Sequence, residues 1–231
     1  MSGFRPPDPG VHPPLVYPDY GSTRLRAPSR PPFPIAPTLS ETTGPLFADL
    51  MIDPREADLT RNNGGEALGQ RIRVGGYVRD EDGNPVPQTL IEIWQANAAG
   101  RYAHDEDQHD APLDPHFHGG GRALTNRNGW YGFLTIRPGA YPWANHHNAW
   151  RPAHIHFSLF GPAIATRLVT QMYFEGDPLL TFDPIFLSTP ASARGRLIAK
   201  FNLALTTPGE ALGCRFDIVL RGRGATPFEE D

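Results

Sequence analysis

The sequence predicts a mainly β protein: a β-sandwich core with long functional loops, few short helices and an extended Pro-rich N-terminal arm. Two observations point there. From about residue 70 onward, short apolar runs alternate with the two-residue period of a strand, and Gly, Pro, Asn and Asp separate them at short intervals. Helical patterns are scarce among these runs, so a sandwich or barrel is favoured over alternating βαβ units.

Residues 1–40 form the predicted arm, and residues 41–231 one domain long enough to bury a core without disulfides. Proline fixes φ and removes a backbone donor, so "SRPPFPIAP" reads as extended rather than helical. Phe4, Val11, Leu15, Val16, Tyr17, Tyr20, Phe33 and Ile35 make the arm too apolar for a free tail, which predicts an ordered arm contacting neighbouring subunits.

The strands follow in order. "RIRVGGYVRD" puts Ile72, Val74, Gly76 and Val78 on one face, and "EDGNP" turns the chain. "TLIEIWQA" sets Leu90, Glu92 and Trp94 opposite Ile91 and Ile93, and Trp94 reads as core packing. "GRALTNRNGWYGFLTIRPG" predicts two strands joined as a hairpin at Asn128-Gly129. "AHIHFSLFG", "RLVTQMYFEG" and "RFDIVLRGRG" complete the set. "STPASARGRLIAKFNLAL" predicts a helix with Ser188 or Thr189 as N-cap, Pro190 in its first turn and Leu197, Ile198 and Phe201 on one face, although Gly195 weakens it. A short helix near "GPLFADLM" is a second possibility. Segments 102–121 and 137–150 are long polar loops, where function tends to sit on a β scaffold.

Composition excludes several classes. The net charge of −4 gives no basic signature for nucleic acid. No apolar run approaches the ~20 residues of a membrane span. The N-terminus shows no apolar signal region, and the single cysteine, Cys214, fits a reducing compartment, so the expected location is cytoplasmic.

In "WRPAHIHFSLFG" a strand points His154 and His156 the same way, so both imidazoles can reach one point. Alone, the pair reads equally as metal ligands or as core histidines satisfied by hydrogen bonds. The matching "HFH" at His116 and His118 lies in a Gly/Pro loop and reads as solvated, as do the adjacent His146 and His147. No carboxylate follows His156 before Glu175, so the two-histidine, one-carboxylate iron pattern lacks a nearby third member; a zinc hydrolase lacks one too. Tyr102 and Tyr141 each stand just beyond a strand, beside the polar loops. Each alone reads as a half-buried aromatic.

Together the four residues resemble a known pattern. "SETTGP", "NPVPQTLIEIWQANAAGRY", "APLDPHF", "GRALTNRNGWYGFLTIRPGAYPW", "WRPAHIHFSLFGP", "TQMYFEGDPL" and "RFDIVLRG" run in order over most of residues 38–224 and resemble the intradiol ring-cleaving dioxygenases. The resemblance implies non-haem Fe(III) held by Tyr102, Tyr141, His154 and His156, with Tyr141 and His156 axial. Ferric iron with two phenolates and a hydroxide sums to zero charge, which makes burial cheaper. It implies cleavage of protocatechuate (3,4-dihydroxybenzoate) by O2 to 3-carboxy-cis,cis-muconate, in aromatic catabolism through β-ketoadipate, with Tyr141 as the ligand that leaves to accept a catechol proton. It further implies that Arg151 offsets negative charge on the substrate, that Gln171 and Tyr173 stand behind the ligands, and that Trp143 and Ile185 wall the ring pocket. Tyr20, in "YPDYGST", would hold the substrate carboxylate. A homologous iron-free α chain would complete α/β protomers in a larger oligomer. The acidic "HDEDQHD" at 104–110, and Ala144 where a basic residue often stands, depart from the family pattern. Relatives acting on catechol or hydroxyquinol usually carry a helical N-terminal segment, which this Pro-rich arm does not match.

Overall fold

The computed structural model describes residues 8–30, 33, 35, 52–61, 64–143, 149–161 and 167–229. The possible helix near "GPLFADLM", His146, His147 and Ala144 lie outside them. Short helices are α1 (Thr23–Arg26), α2 (Pro184–Ser188) and α3 (Ala191–Arg194). The strands are β1 (Arg71–Arg79), β2 (Leu90–Trp94), β3 (Gly120–Leu124), β4 (Trp130–Ile136), β5 (Tyr141–Pro142), β6 (Trp150–Arg151), β7 (His154–Phe160), β8 (Leu168–Phe174), β9 (Ile198–Phe201), β10 (Leu212–Arg215) and β11 (Ile218–Val219). The chain is mostly sheet with few short helices, as the sequence predicts.

The hydrogen-bonded order is β11-β1-β10-β9-β8-β7-β2-β3, with β4 also on β1, and β5 pairs with β6 apart from it. Strand β9 makes this path fold into two layers. Its first half, Ile198 and Ala199, pairs in parallel with β8, and its second half, Lys200 and Phe201, pairs antiparallel with β10. The layer β3-β2-β7-β8 then faces the layer built on β1, β4 and β10. Phe157 of β7 marks the contact, with its ring 5.8 Å from Phe133 and 6.0 Å from Tyr131, both on β4.

Alternation decides what each face of β7 does. Ile155, Phe157 and Leu159 are fully buried in the sandwich core with Ile91, Ile93, Ile72 and Val74. The residues that alternate with them, His154, His156 and Ser158, therefore face outward from this core. A slip of one residue would exchange the two sets, so burial of the apolar set fixes the outward direction of the histidines.

Four sequence expectations need correction. Asn128-Gly129 does turn the chain: Asn126 Oδ1 accepts from the amides of Asn128 and Trp130, and Gly129 has φ +73°. The flanking strands do not form a hairpin, because β3 pairs with β2 and β4 pairs with β1. The turn crosses between layers, and longer ladders elsewhere claim both strands. The predicted helix over 188–205 is also broken. Ser188 closes α2, Pro190 precedes the single turn of α3 without a side-chain cap, and Ile198–Phe201 is strand β9. Pairing with both β8 and β10 outweighs a weak helical preference interrupted by Gly195. "RFDIVLRGRG" is split as well: β10 ends at Arg215, Phe216 bonds back to Gly75, and β11 begins at Ile218. In the arm, residues 8–30 are turns with one helical turn, α1, rather than continuously extended chain.

Phe157 joins the layers and has no exposure. Phe157→Ala should lower stability by about 3–5 kcal/mol, the usual cost of emptying a buried aromatic site, read as a lower denaturant midpoint at unchanged slope.

Candidate metal centre

The site grows from the outward face of β7. His154 pairs directly with Tyr173 of β8, and His156 with Gln171 of β8 and Trp94 of β2. Directly opposed residues share a face, so these five side chains form one cluster. The rings of His154 and His156 lie 4.8 Å apart. Trp94 is half-buried and stacks flat on His156, centroids 4.8 Å apart and planes within 5°. It belongs to the site rather than the core.

Tyr141 comes from β5, opposite Arg151 of β6. Its Oη lies 3.3 Å from His154 Nε2 and 3.5 Å from Arg151 Nη1. Tyr102 enters from the loop after β2, its ring edge-on to Tyr141 at 5.4 Å and 6.4 Å from His156. Two glycines permit this approach. Gly100 has φ +79°, and a Cβ there would stand 2.1 Å from the Ala140 carbonyl oxygen. A Cβ on Gly139 would stand 2.5 Å from the Ala98 carbonyl oxygen. The two tyrosine-bearing loops can therefore close on each other only without side chains there. The acidic loop supports Tyr102 directly, since Asp107 Oδ2 accepts from the Tyr102 amide at 2.7 Å.

His154 is oriented by its own turn. Nδ1–H donates to the Pro152 carbonyl at 2.7 Å, which leaves the Nε2 lone pair facing the cluster. Burial, then Arg151 and His156, push its pKa well below the ordinary value, so it is neutral. His156 presents Nδ1 to Glu229 Oε2 at 3.3 Å. Burial pushes Glu229 up, but contact with His156, followed by the Arg151 charge, outweighs it and holds the carboxyl at about 2. Tyr102 Oη is buried with no hydrogen-bond partner among the described residues, and burial, followed by Tyr141, pushes its pKa well above the ordinary value. A phenol in that position ionises only if a cation joins it.

Arg151 is 3 % exposed and anchors the back of the cluster. Nη1 donates to His154 Nε2 at 3.1 Å; Nη2 reaches Gln171 Oε1 at 2.5 Å, Tyr173 Oη at 3.1 Å and Asp183 Oδ2 at 3.1 Å. Burial opposes its charge, but Asp183, then Tyr173 and Tyr141, more than offset that. The other oxygen of Asp183 accepts from the Ile185 amide and caps α2, so one carboxylate fixes both Arg151 and the turn carrying Ile185.

The remaining candidates gather nearby. The Arg151 guanidinium lies 5.5 Å from the Trp143 ring, and Trp143 meets Tyr20 edge-on at 5.3 Å. Tyr20, Gln171, Tyr173, Ile185 and Glu229 line a cavity of about 30 Å³. All ten residues that the resemblance assigned to the site therefore lie in one neighbourhood. His116 and His118 stay apart in their loop, half-buried and exposed. Sequence reasoning missed Asp107, Asp183, Glu229 and the contact of Trp94. Only Asp183 carried a local signal, as Asp-Pro at a helix start.

Among the described residues no three His, Cys, Asp or Glu side chains converge as metal ligands. The donor set that does converge mixes two imidazoles with two phenols. A buried phenol without a hydrogen-bond partner among the described residues, a neutral histidine whose Nε2 lone pair faces the cluster, and hard oxygen donors together fit a hard, highly charged cation such as Fe(III).

A family model described as "Dioxygenase" matches residues 42–222, and one described as "Protocatechuate 3,4-dioxygenase beta subunit N terminal" matches residues 4–38. The chain belongs to this dioxygenase family, in its intradiol ring-cleaving class. It is similar to the protocatechuate 3,4-dioxygenase beta chain of Burkholderia cepacia, at 58% identity over 98% of this chain and 97% of the relative. The alpha chain from the same organism is 28% identical over 83% of this chain and 95% of its own length. Among solved structures, hydroxyquinol 1,2-dioxygenase from Pseudomonas putida DLL-E4 shares the fold, with TM-score 0.55 at 24% identity over 90% of this chain and 70% of that one.

Among the described residues, Asp183 is the one carboxylate paired with buried Arg151. Asp183→Ala should cost about 3–5 kcal/mol because it leaves that cation buried without its partner, measurable by denaturant unfolding of the full chain.

Proposed function

We propose that this chain is the iron-bearing β chain of a protocatechuate 3,4-dioxygenase, which cleaves 3,4-dihydroxybenzoate between its hydroxyls with O2 to give 3-carboxy-cis,cis-muconate. The observation that carries the reading is the convergence of Tyr102, Tyr141, His154 and His156 around a buried phenol oxygen that has no hydrogen-bond partner among the described residues.

Those four residues would hold Fe(III), through two phenolate oxygens and two imidazole nitrogens. Bound there, ferric iron supplies Lewis acidity that draws electron density from a catecholate and makes its ring reactive toward O2. The chain's own residues do the rest. Tyr141 Oη is the atom suited to take a catechol proton. It lies 3.5 Å from Arg151 Nη1, which donates to it. Arg151 keeps its position through Asp183, Gln171 and Tyr173, and its fixed positive charge stabilises negative charge developing on the substrate. Gln171 orients that guanidinium. Trp143 and Ile185 form the apolar walls for the aromatic ring, and Tyr20 supplies a hydroxyl for the substrate carboxylate.

The arm over residues 1–40 would lie against partner subunits, with residues 41–231 as the catalytic domain. Leu25, Phe33 and Ile35 are 80–92% exposed, which supports such a contact. The partner is a homologous α chain, by analogy with the two Burkholderia cepacia chains. No helix among the described residues is long and apolar enough to cross a membrane, and the single free Cys214 agrees with a cytoplasmic setting.

The chain purified with its α partner should contain iron, absorb broadly in the visible through its tyrosinates, and turn over protocatechuate faster than catechol or hydroxyquinol. Tyr102→Phe should weaken and shift that absorption. A colourless protein free of iron, or one preferring hydroxyquinol, would contradict the reading.

A further inference from the structure

The backbone of β7 aims both histidines, but it does not fix the twist of either ring about its last bond. His154 solves this locally, with Nδ1–H on the Pro152 carbonyl. His156 has no such carbonyl. Its ring face rests on Trp94, and its Nδ1 meets the Glu229 carboxylate at 3.3 Å. The contact lies outside ordinary hydrogen-bond geometry, and neither His156 Nδ1 nor Glu229 Oε2 has another hydrogen-bond partner among the described residues. Both side chains are about nine-tenths buried. Two unsatisfied, complementary atoms thus face each other at the edge of the candidate metal centre, where a small ring rotation would complete the bond.

Glu229 does not reach this place by chance of a loose segment. Its amide donates to the Val169 carbonyl at 2.8 Å, and Thr170 Oγ1 donates to the Pro227 carbonyl at 2.6 Å. Phe228 stacks on His12 of the arm at 4.1 Å, and its amide meets His12 Nδ1 at 3.3 Å. Thr226 and Val219 exchange two hydrogen bonds. The segment Thr226–Glu229 is therefore tied to β8, to β11 and to the arm, and it delivers one carboxylate to one histidine.

We infer that Glu229 is a positioning residue for His156: it accepts from Nδ1–H, fixes the ring and leaves Nε2 as the metal-binding nitrogen. This rests on the proposed iron site. A carboxylate behind a ligating histidine sets both its tautomer and its orientation, and losing one typically weakens metal binding by about 10–100-fold.

The test uses the full chain purified with its α partner, loaded with iron and titrated with EDTA, with retained iron measured directly. Glu229→Ala should release iron at about 10–100-fold lower EDTA than wild type. Glu229→Gln, which keeps an acceptor for Nδ1–H, should recover most of the difference. The melting temperature of the metal-free protein should stay close to wild type in both. Equal iron retention by Glu229→Ala and wild type would overturn the inference. So would equal losses in both variants accompanied by early melting, which would mark a purely structural role. A wild-type protein that takes up no iron would instead overturn the functional reading, which is a separate result.

Discussion

The register of β7 against its two neighbours is the constraint on which the rest depends. One face of this strand carries Ile155, Phe157 and Leu159 into the core, and the other carries His154 and His156. The same pairing brings Tyr173 and Gln171 from β8, and Trp94 from β2, onto the histidine face. Burial of the apolar set supplies the stability, and the chemistry follows as its complement. The ligand direction is thereby coupled to the hydrophobic core, and a site on a rigid strand is held more precisely than one on a loop.

Loops then close over that face under two further constraints. Gly100 and Gly139 let the Tyr102 and Tyr141 loops pack backbone to backbone, which puts two phenols beside two imidazoles. Behind them Arg151 is a buried cation whose charge is tolerated because Asp183 is buried with it and Gln171 and Tyr173 complete its hydrogen bonds. Such a pair adds little net stability, but it is costly to break, so it acts as a fixed positive charge in a place of low dielectric. Two imidazoles, two phenols and one immobile guanidinium together describe a site built to handle negative charge.

Much of this was legible in the sequence where the signal is local and periodic. The alternation in "AHIHFSLF" gives the strand and the shared direction of its histidines, and "RIRVGGYV" gives the buried face of β1. Tyr102 and Tyr141 have no periodic signature, because loop geometry brings them together; only their resemblance to a known motif set connected them. Asp183 and Glu229 were illegible as site residues, since their meaning depends on meeting Arg151 and His156 far away in the chain. Trp94 read as core because its strand alternates, and periodicity alone does not say which face is the chemical one. The Asn128-Gly129 turn and the segment 188–205 misled for one reason. Turn and helix preferences are worth about 1 kcal/mol or less per residue, and ladders between distant strands outweighed them.

In the proposed centre, two phenolates and two imidazoles, carried on one strand face and two interlocked loops, would hold a single iron ion. A crystal structure of the iron-loaded protein with its partner, using anomalous diffraction at the iron edge, tests this most directly. One anomalous peak is expected, bonded to Tyr102 Oη, Tyr141 Oη, His154 Nε2 and His156 Nε2. A peak held by carboxylates or by the loop histidines His116 and His118, or no peak at this cluster, would contradict it.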